Sequence, residues 1–162
     1  ANPCPCGYFG HPTRLCTCTM GEVQRYWKRL GGPLMDRVDL RVRVDPEAAT
    51  AADQPEPDDT GAVRDRVIEA RWRQQRRYSR ECYSHNAEVP ASRINEHLRV
   101  REKDRAVVEE AAEKLALSAR AVVSVLRTAR TVADLDGSDQ TERRHLLEAV
   151  QHRRLGEGGN WL

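Results

Sequence analysis

The chain has 162 residues, room for one ordinary core or two small ones, with 5% aromatic and 32% charged residues. So few aromatics exclude a large aromatic-rich core, and apolar surface supplied mainly by Val, Leu and Ala suits packed helices better than a β-sandwich. A net charge of +2 does not by itself argue for nucleic acid, and no stretch approaches the roughly 18 apolar residues of a membrane span.

Residues 1–18 form a Cys/Pro/Gly-rich loop with no basic start or apolar run, so they are not a signal peptide. The lack of an initiating Met suggests a chain that begins within a longer protein, and a cytoplasmic setting is expected. Four of the five cysteines lie in this loop as Cys4-Pro5-Cys6 and Cys16-Thr17-Cys18, nine residues apart. Four thiolates meet the tetrahedral demand of structural Zn²⁺, and in a reducing compartment such a cluster points to metal before disulfides. His11 is an alternative ligand within the loop. Free thiols or an oxidised pair are the competing reading. Cys82 stands alone.

A helix is expected over 21–30, stopped by Gly31-Gly32-Pro33. Over 37–44, Val38, Leu40, Val42 and Val44 alternate with Arg37, Asp39, Arg41 and Arg43, the period of a strand. No partner strand is recognisable elsewhere, so this is an orphan that calls for a sheet outside the chain. Residues 45–61 carry six acids and no base and read as a solvated linker. Everything beyond reads as helix: 62–80 with Val63, Val67, Ala70 and Trp72, 91–98 after Pro90, and 103–115 with Val107, Val108, Ala111 and Leu115. Ser118 should cap a longer helix ending near Asp136 with Gly137 as its stop, its apolar stripe being Val122, Val125, Leu126, Ala129 and Ala133. Thr141 or Asp139 should cap a last helix through Arg153. The fold class is mainly α.

Asn2-Pro3-Cys4-Pro5-Cys6-Gly7-Tyr8, Gly32-Pro33-Leu34-Met35-Asp36-Arg37-Val38-Asp39, Asn86-Ala87 and Leu117-Ser118-Ala119-Arg120 through Leu126–Leu135 occur in an order that resembles the YifB/ComM competence branch of magnesium-chelatase-like AAA+ ATPases. The resemblance spans nearly the whole chain. It implies a C-terminal remnant of the AAA+ core with a four-Cys insert (1–44), a linker (45–61), a helical lid bundle (62–153) and a flexible tail (154–162). It further implies that Asn2 falls at the sensor-1 position that helps place the attacking water. Arg37 falls at the arginine-finger position, reaching ATP held by a neighbouring copy, and Arg120 at the sensor-2 position.

Arg120 and Arg127, seven residues apart, share one helix face with Arg130 beside them, a face whose charge suits phosphate near a helix N-terminus. Ordinary solvated arginines are the competing reading there, and a surface ion pair is the competing reading at Arg37. The chain holds no G-x-x-x-x-G-K-[ST] loop and no strand ending in an Asp-Glu pair for Mg²⁺, so alone it is expected to be inactive towards ATP.

The parent so implied is an ATP- and Mg²⁺-dependent homo-oligomeric ring, taken as a hexamer, working on DNA in competence or recombination by branch migration. Arg64, Arg66, Arg71, Arg73, Arg76, Arg77 and Arg80, with Trp72 and Tyr78, are candidates for tracking a phosphate backbone and stacking bases. A solvated helix facing the acidic linker is the alternative. Two other functions stay open: a metal-chelatase-like or remodelling ATPase subunit, and a non-enzymatic zinc-bearing interaction module, against which the orphan strand argues.

Overall fold

In a computed structural model, residues 1–42, 44 and 59–154 are described. The expected linker lies outside the described residues up to Asp58, and so does the expected tail beyond Arg154. Helix α1 (Met20–Arg29) starts where the sequence supplies a capping box: Thr19 Oγ1 accepts the Glu22 amide at 3.3 Å, and the Glu22 carboxylate accepts the Thr19 amide at 2.8 Å. The helix buries Val23 and directs the Trp27 indole N–H onto the Pro3 carbonyl at 2.9 Å, which ties the cysteine loop to its flank.

Gly31-Gly32-Pro33 stops α1 as expected but at once opens a second helix, α2 (Gly32–Arg37). Proline's fixed φ and missing N–H suit a first helical turn. Arg37 therefore ends a helix and does not begin a strand. Val38 is extended, with φ −85° and ψ 113°, yet no β-strand occurs among the described residues. The expected strand 37–44 is corrected on this point, with Arg43 outside the described residues. Nor does its alternation sort into a buried and an exposed face: Val38, Leu40, Val42 and Val44 are each at least 38% exposed, Arg37 and Asp39 are exposed too, and of these residues Arg41 alone is buried. In place of a sheet, guanidinium groups tie this stretch to the C-terminal end of the chain's last described helix. Arg153 donates to the carbonyls of Asp36 and Val38, and Arg41 to those of Met35 and Arg153.

Asp59 caps α3 (Thr60–Arg77) through the Gly61 amide at 2.9 Å. Of the expected stripe only Ala70 is buried; Val63, Val67 and Trp72 are 39–59% exposed. The helix packs on α6 (Ala119–Leu135) through its C-terminal half, with Ala70 and Gln74 buried and Tyr78 just beyond. The short helix after Pro90 and the one before Leu115 each begin with a tight 3-10 turn. They continue as α4 (Ile94–His97) and α5 (Arg105–Lys114).

Ser118 caps α6 as expected, accepting the Ala121 amide at 3.1 Å, and Gly137 follows its end in the left-handed conformation, φ 71°. The last helix, α7, spans Arg143–Arg154. Thr141 is not its cap: it is fully buried, bridges Val100 and donates to the Leu98 carbonyl at 2.6 Å. Nor is Asp139, whose carboxylate accepts from Arg73 at 3.3 Å. At the start of α7, His145 Nδ1 accepts the Glu142 amide at 3.0 Å.

The main core joins Val107 and Val108 of α5, Val125 and Ala129 of α6, and Leu146, Ala149 and Val150 of α7. Each fully buried Val or Leu contributes about 1.5–3 kcal/mol. A second core of Tyr78, Val89, Ile94 and Leu98 sits under the connection from α3 to α4. The protein is mainly helical, with the cysteine loop standing before the bundle.

Candidate functional site

The cysteine loop closes on itself. Gly7 adopts φ +84°, a conformation that a side chain would strain, and its amide donates to the Cys4 carbonyl at 3.1 Å. The chain turns back so that Cys6 stands near Cys16, while the Thr19 capping box fixes Cys18 to the start of α1. The Sγ–Sγ distances are 3.4 Å for Cys4–Cys6, 3.7 Å for Cys4–Cys16 and 3.6 Å for Cys6–Cys16. All four sulfurs, Cys18 included, lie within 4.8 Å of one another. None is in a disulfide. An ion held by four thiolates at about 2.3 Å has sulfur–sulfur edges of about 3.8 Å, so this donor set fits one tetrahedral metal.

Titration differs along the cluster. The Tyr8 backbone N–H holds the Cys6 thiol down to about 6. At Cys18 a backbone N–H also favours the thiolate, but burial and the three neighbouring sulfurs outweigh it and push the group up to about 12. Cys16 is raised too, a backbone N–H pulling it down while burial and the Cys6 and Cys4 sulfurs push it up. His11 takes no part: its Nδ1 accepts the amides of Thr13 and Arg14, both at 3.1 Å. Four protein donors leave no open coordination position, so the chemistry open to this site is structural.

A second feature joins the two segments that carry Arg37 and Arg120. Ser118 Oγ, at the cap of α6, donates to Asp36 Oδ1 at 2.7 Å, and Ser124 Oγ donates to Asp39 Oδ1 at 2.5 Å. Both arginines are solvent-exposed, one at the end of α2 and the other in the first turn of α6. Asp36, the nearest acid to Arg37 in sequence, is engaged by Ser118 instead. Asn2 is exposed with its amide beside Gly7, and makes no hydrogen bond to either arginine among the described residues.

The expected basic face of α6 is partly dismantled. Arg127 is half-buried and directs Nε and Nη2 at the Val89 carbonyl, at 3.1 and 2.6 Å. Arg130 is 0% exposed, paired with Asp134 at 2.8 Å and donating to the carbonyls of Ser138 and Asp139. The same holds for part of the arginine-rich α3. Arg77 pairs with buried Asp134, Arg73 with Glu69 and Asp139, and Tyr78 donates its hydroxyl to Asn86 at 2.7 Å from a buried position. Exposed on α3 are Arg64, Arg66, Arg71, Arg76 and Trp72. The glycine after α6 explains Arg130: the reversal at Gly137 brings two carbonyls back within reach of its guanidinium. Neither that reversal nor the Arg41–Arg153 contacts had a local signal in the sequence beyond Gly137 itself.

Comparison with known proteins gives two family matches: magnesium chelatase, subunit ChlI, over residues 1–52, and the C-terminal part of the same subunit over residues 57–153. The uncharacterized protein YifB of Escherichia coli is 35% identical over 157 residues, and the competence protein ComM of Haemophilus influenzae is 32% identical over 157 residues. Each alignment covers 95% of this chain but 30% of the relative. An uncharacterized protein of Mycobacterium tuberculosis is 33% identical over 156 residues, 96% of this chain and 31% of its own. The chain thus spans under a third of the length of these curated relatives.

Proposed function

Because the chain belongs to the magnesium chelatase subunit ChlI family, we propose that it is the arginine-bearing, lid-forming portion of a ring-shaped AAA+ ATPase that acts on DNA. The observation that carries this reading is the Asp36–Ser118 hydrogen bond, which sets exposed Arg37 and exposed Arg120 on adjoining segments. Arg37 then reaches the γ-phosphate of ATP held by a neighbouring copy in a hexameric ring and offsets the charge that develops there. Arg120 serves as the sensor-2 arginine, and Asn2 orients the attacking water. Arg127 adds charge to the same helix while anchored on Val89. The phosphate loop and the acids for Mg²⁺ are supplied by residues outside this chain.

Zn²⁺ is the ion we assign to Cys4, Cys6, Cys16 and Cys18, as a staple that holds the loop against α1. The donor chemistry supports it: four thiolates select a soft or borderline ion and leave no place for substrate. DNA as the client rests on the competence name of one relative and on the exposed outer side of α3, where Arg64, Arg71 and Arg76 accompany Trp72, 59% exposed.

The test is ATP hydrolysis by the full-length protein with and without DNA, beside its Arg37→Ala variant. Stimulation by DNA that disappears in the variant is the expected result. Hydrolysis indifferent to DNA would transfer the assignment to a metal-insertion or remodelling ATPase, the reading favoured by the family's description as a chelatase subunit.

A further inference from the structure

We propose that Arg153, near the end of α7, is the positioning residue for Arg37; the proposal rests on the reading of Arg37 as an arginine finger. Arg37 is flanked by two residues whose carbonyls both face one guanidinium. Arg153 Nη1 donates to Val38 O at 2.5 Å, and Nη1 and Nη2 both donate to Asp36 O at 3.3 Å. Arg153 is 1% exposed, so its guanidinium is a fixed part of the interior and not a mobile surface charge.

The segment returns the contact. Arg41, buried, donates through Nη1 to the Arg153 carbonyl at 3.0 Å and through Nη2 to Met35 O at 2.9 Å. Its own amide donates to His152 O at 3.0 Å. Two arginines thus lock residues 35–41 and the last turn of α7 together, each reading the other segment's backbone. In addition, Ser118, the cap of α6, and Ser124 within it hold the Asp36 and Asp39 carboxylates.

The consequence for Arg37 is specific. Its side chain is exposed, while the carbonyls on either side of it accept from Arg153 of α7, and the Asp36 and Asp39 carboxylates accept from Ser118, the cap of α6, and Ser124. A planar guanidinium can bridge two carbonyls at once; an ammonium cannot hold the same fork. Because α7 packs against α6 in the main core, the bracket also fixes Arg37 relative to Arg120. An arginine that must reach phosphate across a subunit boundary gains rate only when its position is preset, and misplacement by about 1 Å is enough to lose roughly a hundredfold.

The experiment compares the full-length protein with Arg153→Lys, Arg37→Ala and the double variant, reading kcat, KM for ATP, ring assembly and thermal unfolding. Arg153→Lys is expected to assemble and to keep KM within about twofold while kcat falls by roughly tenfold or more. Arg37→Ala alone is expected to lower kcat by about a thousandfold or more. Within the Arg37→Ala background Arg153→Lys is expected to change kcat no further, because residues acting through one group are not additive. A merely structural role predicts the opposite, the same fractional loss in both backgrounds, and that result overturns the proposal. Unchanged kcat in Arg153→Lys, with Arg37→Ala inactive, also overturns it and leaves the finger reading standing. Unchanged kcat in Arg37→Ala removes the finger reading and this proposal with it. Should Arg153→Lys fail to assemble, Arg41→Lys loosens the same bracket from the other side and is held to the same outcomes.

Discussion

At the residue scale, Asp134 is the acceptor at the centre of a buried polar cluster. It is 1% exposed and accepts from Arg77, Arg130 and Asn86 at once, while Asn86 also accepts from Tyr78 and donates to Thr131. Burial pushes its carboxyl up, but the Arg77 and Arg130 guanidinium groups and the Asn86 amide overcome this and hold it below the usual carboxylate range. Asp134→Ala strands two buried cations, and a loss of about 3–5 kcal/mol in unfolding free energy is expected by chemical denaturation. A depressed carboxylate stabilises the fold above its unfolded pKa, about 3.9, and that contribution fades as pH falls through the lower folded value. The bundle should therefore lose stability below about pH 4, and Asp134→Asn should flatten that dependence. Unaltered acid unfolding in the Asn variant would place the sensitivity elsewhere. Asn86 and the stretch through Leu135 were visible in the sequence as motifs, but their roles were not. A helical wheel ranks arginines as outward-facing, and only the turn at Gly137 shows Arg130 facing in.

At the element scale, α1 was legible from its Gly31-Gly32-Pro33 stop, α5 from its apolar stripe, and α6 from its stripe together with Ser118 and Gly137. The stretch 37–44 was not. Alternating valines carry the period of a strand, yet a strand needs a partner ladder, and within the described residues this stretch is instead tied to α7 through Arg41 and Arg153. Glycine before proline likewise reads equally as a stop and as a start, and here it is both. The four-cysteine spacing was legible outright, since nine residues suffice to fold one pair onto the other.

For the isolated chain about one zinc per molecule is expected by metal analysis, falling to none in the Cys4→Ser/Cys16→Ser double variant. Metal-free folded protein in reducing buffer would contradict the assignment. Because the raised Cys16 and Cys18 thiols must release protons to bind, affinity measured against a competing chelator should weaken as pH falls from neutral. It should weaken further once Cys6 protonates below about 6. On α3, replacing Arg64, Arg71 and Arg76 by Gln should lower the salt dependence of single-stranded DNA binding, with the bundle intact. The slope should fall by about one unit for each arginine that touches phosphate. Arg77, tied to Asp134, belongs to the fold and not to that surface. Unchanged affinity and slope would remove α3 from the DNA interface.

At the scale of the whole molecule, residues 36–39 around Arg37 are bound to the start of α6 by Ser118 and Ser124 and to the last turn of α7 by Arg153. The bundle and the arginine it frames would then move as one body in an assembled ring. Among the described residues no helix is long and apolar enough to cross a membrane. Whether Arg37 acts on a neighbouring copy is decided by mixed rings. Full-length subunits carrying Arg37→Ala are combined with full-length subunits disabled in their own nucleotide site, each inactive alone, and hydrolysis is followed as the ratio varies. Recovered hydrolysis, highest near equal proportions, is expected, because an intact nucleotide site then meets an intact arginine across a subunit boundary. Rings that assemble from both variants yet stay inactive at every ratio would contradict a finger acting between copies.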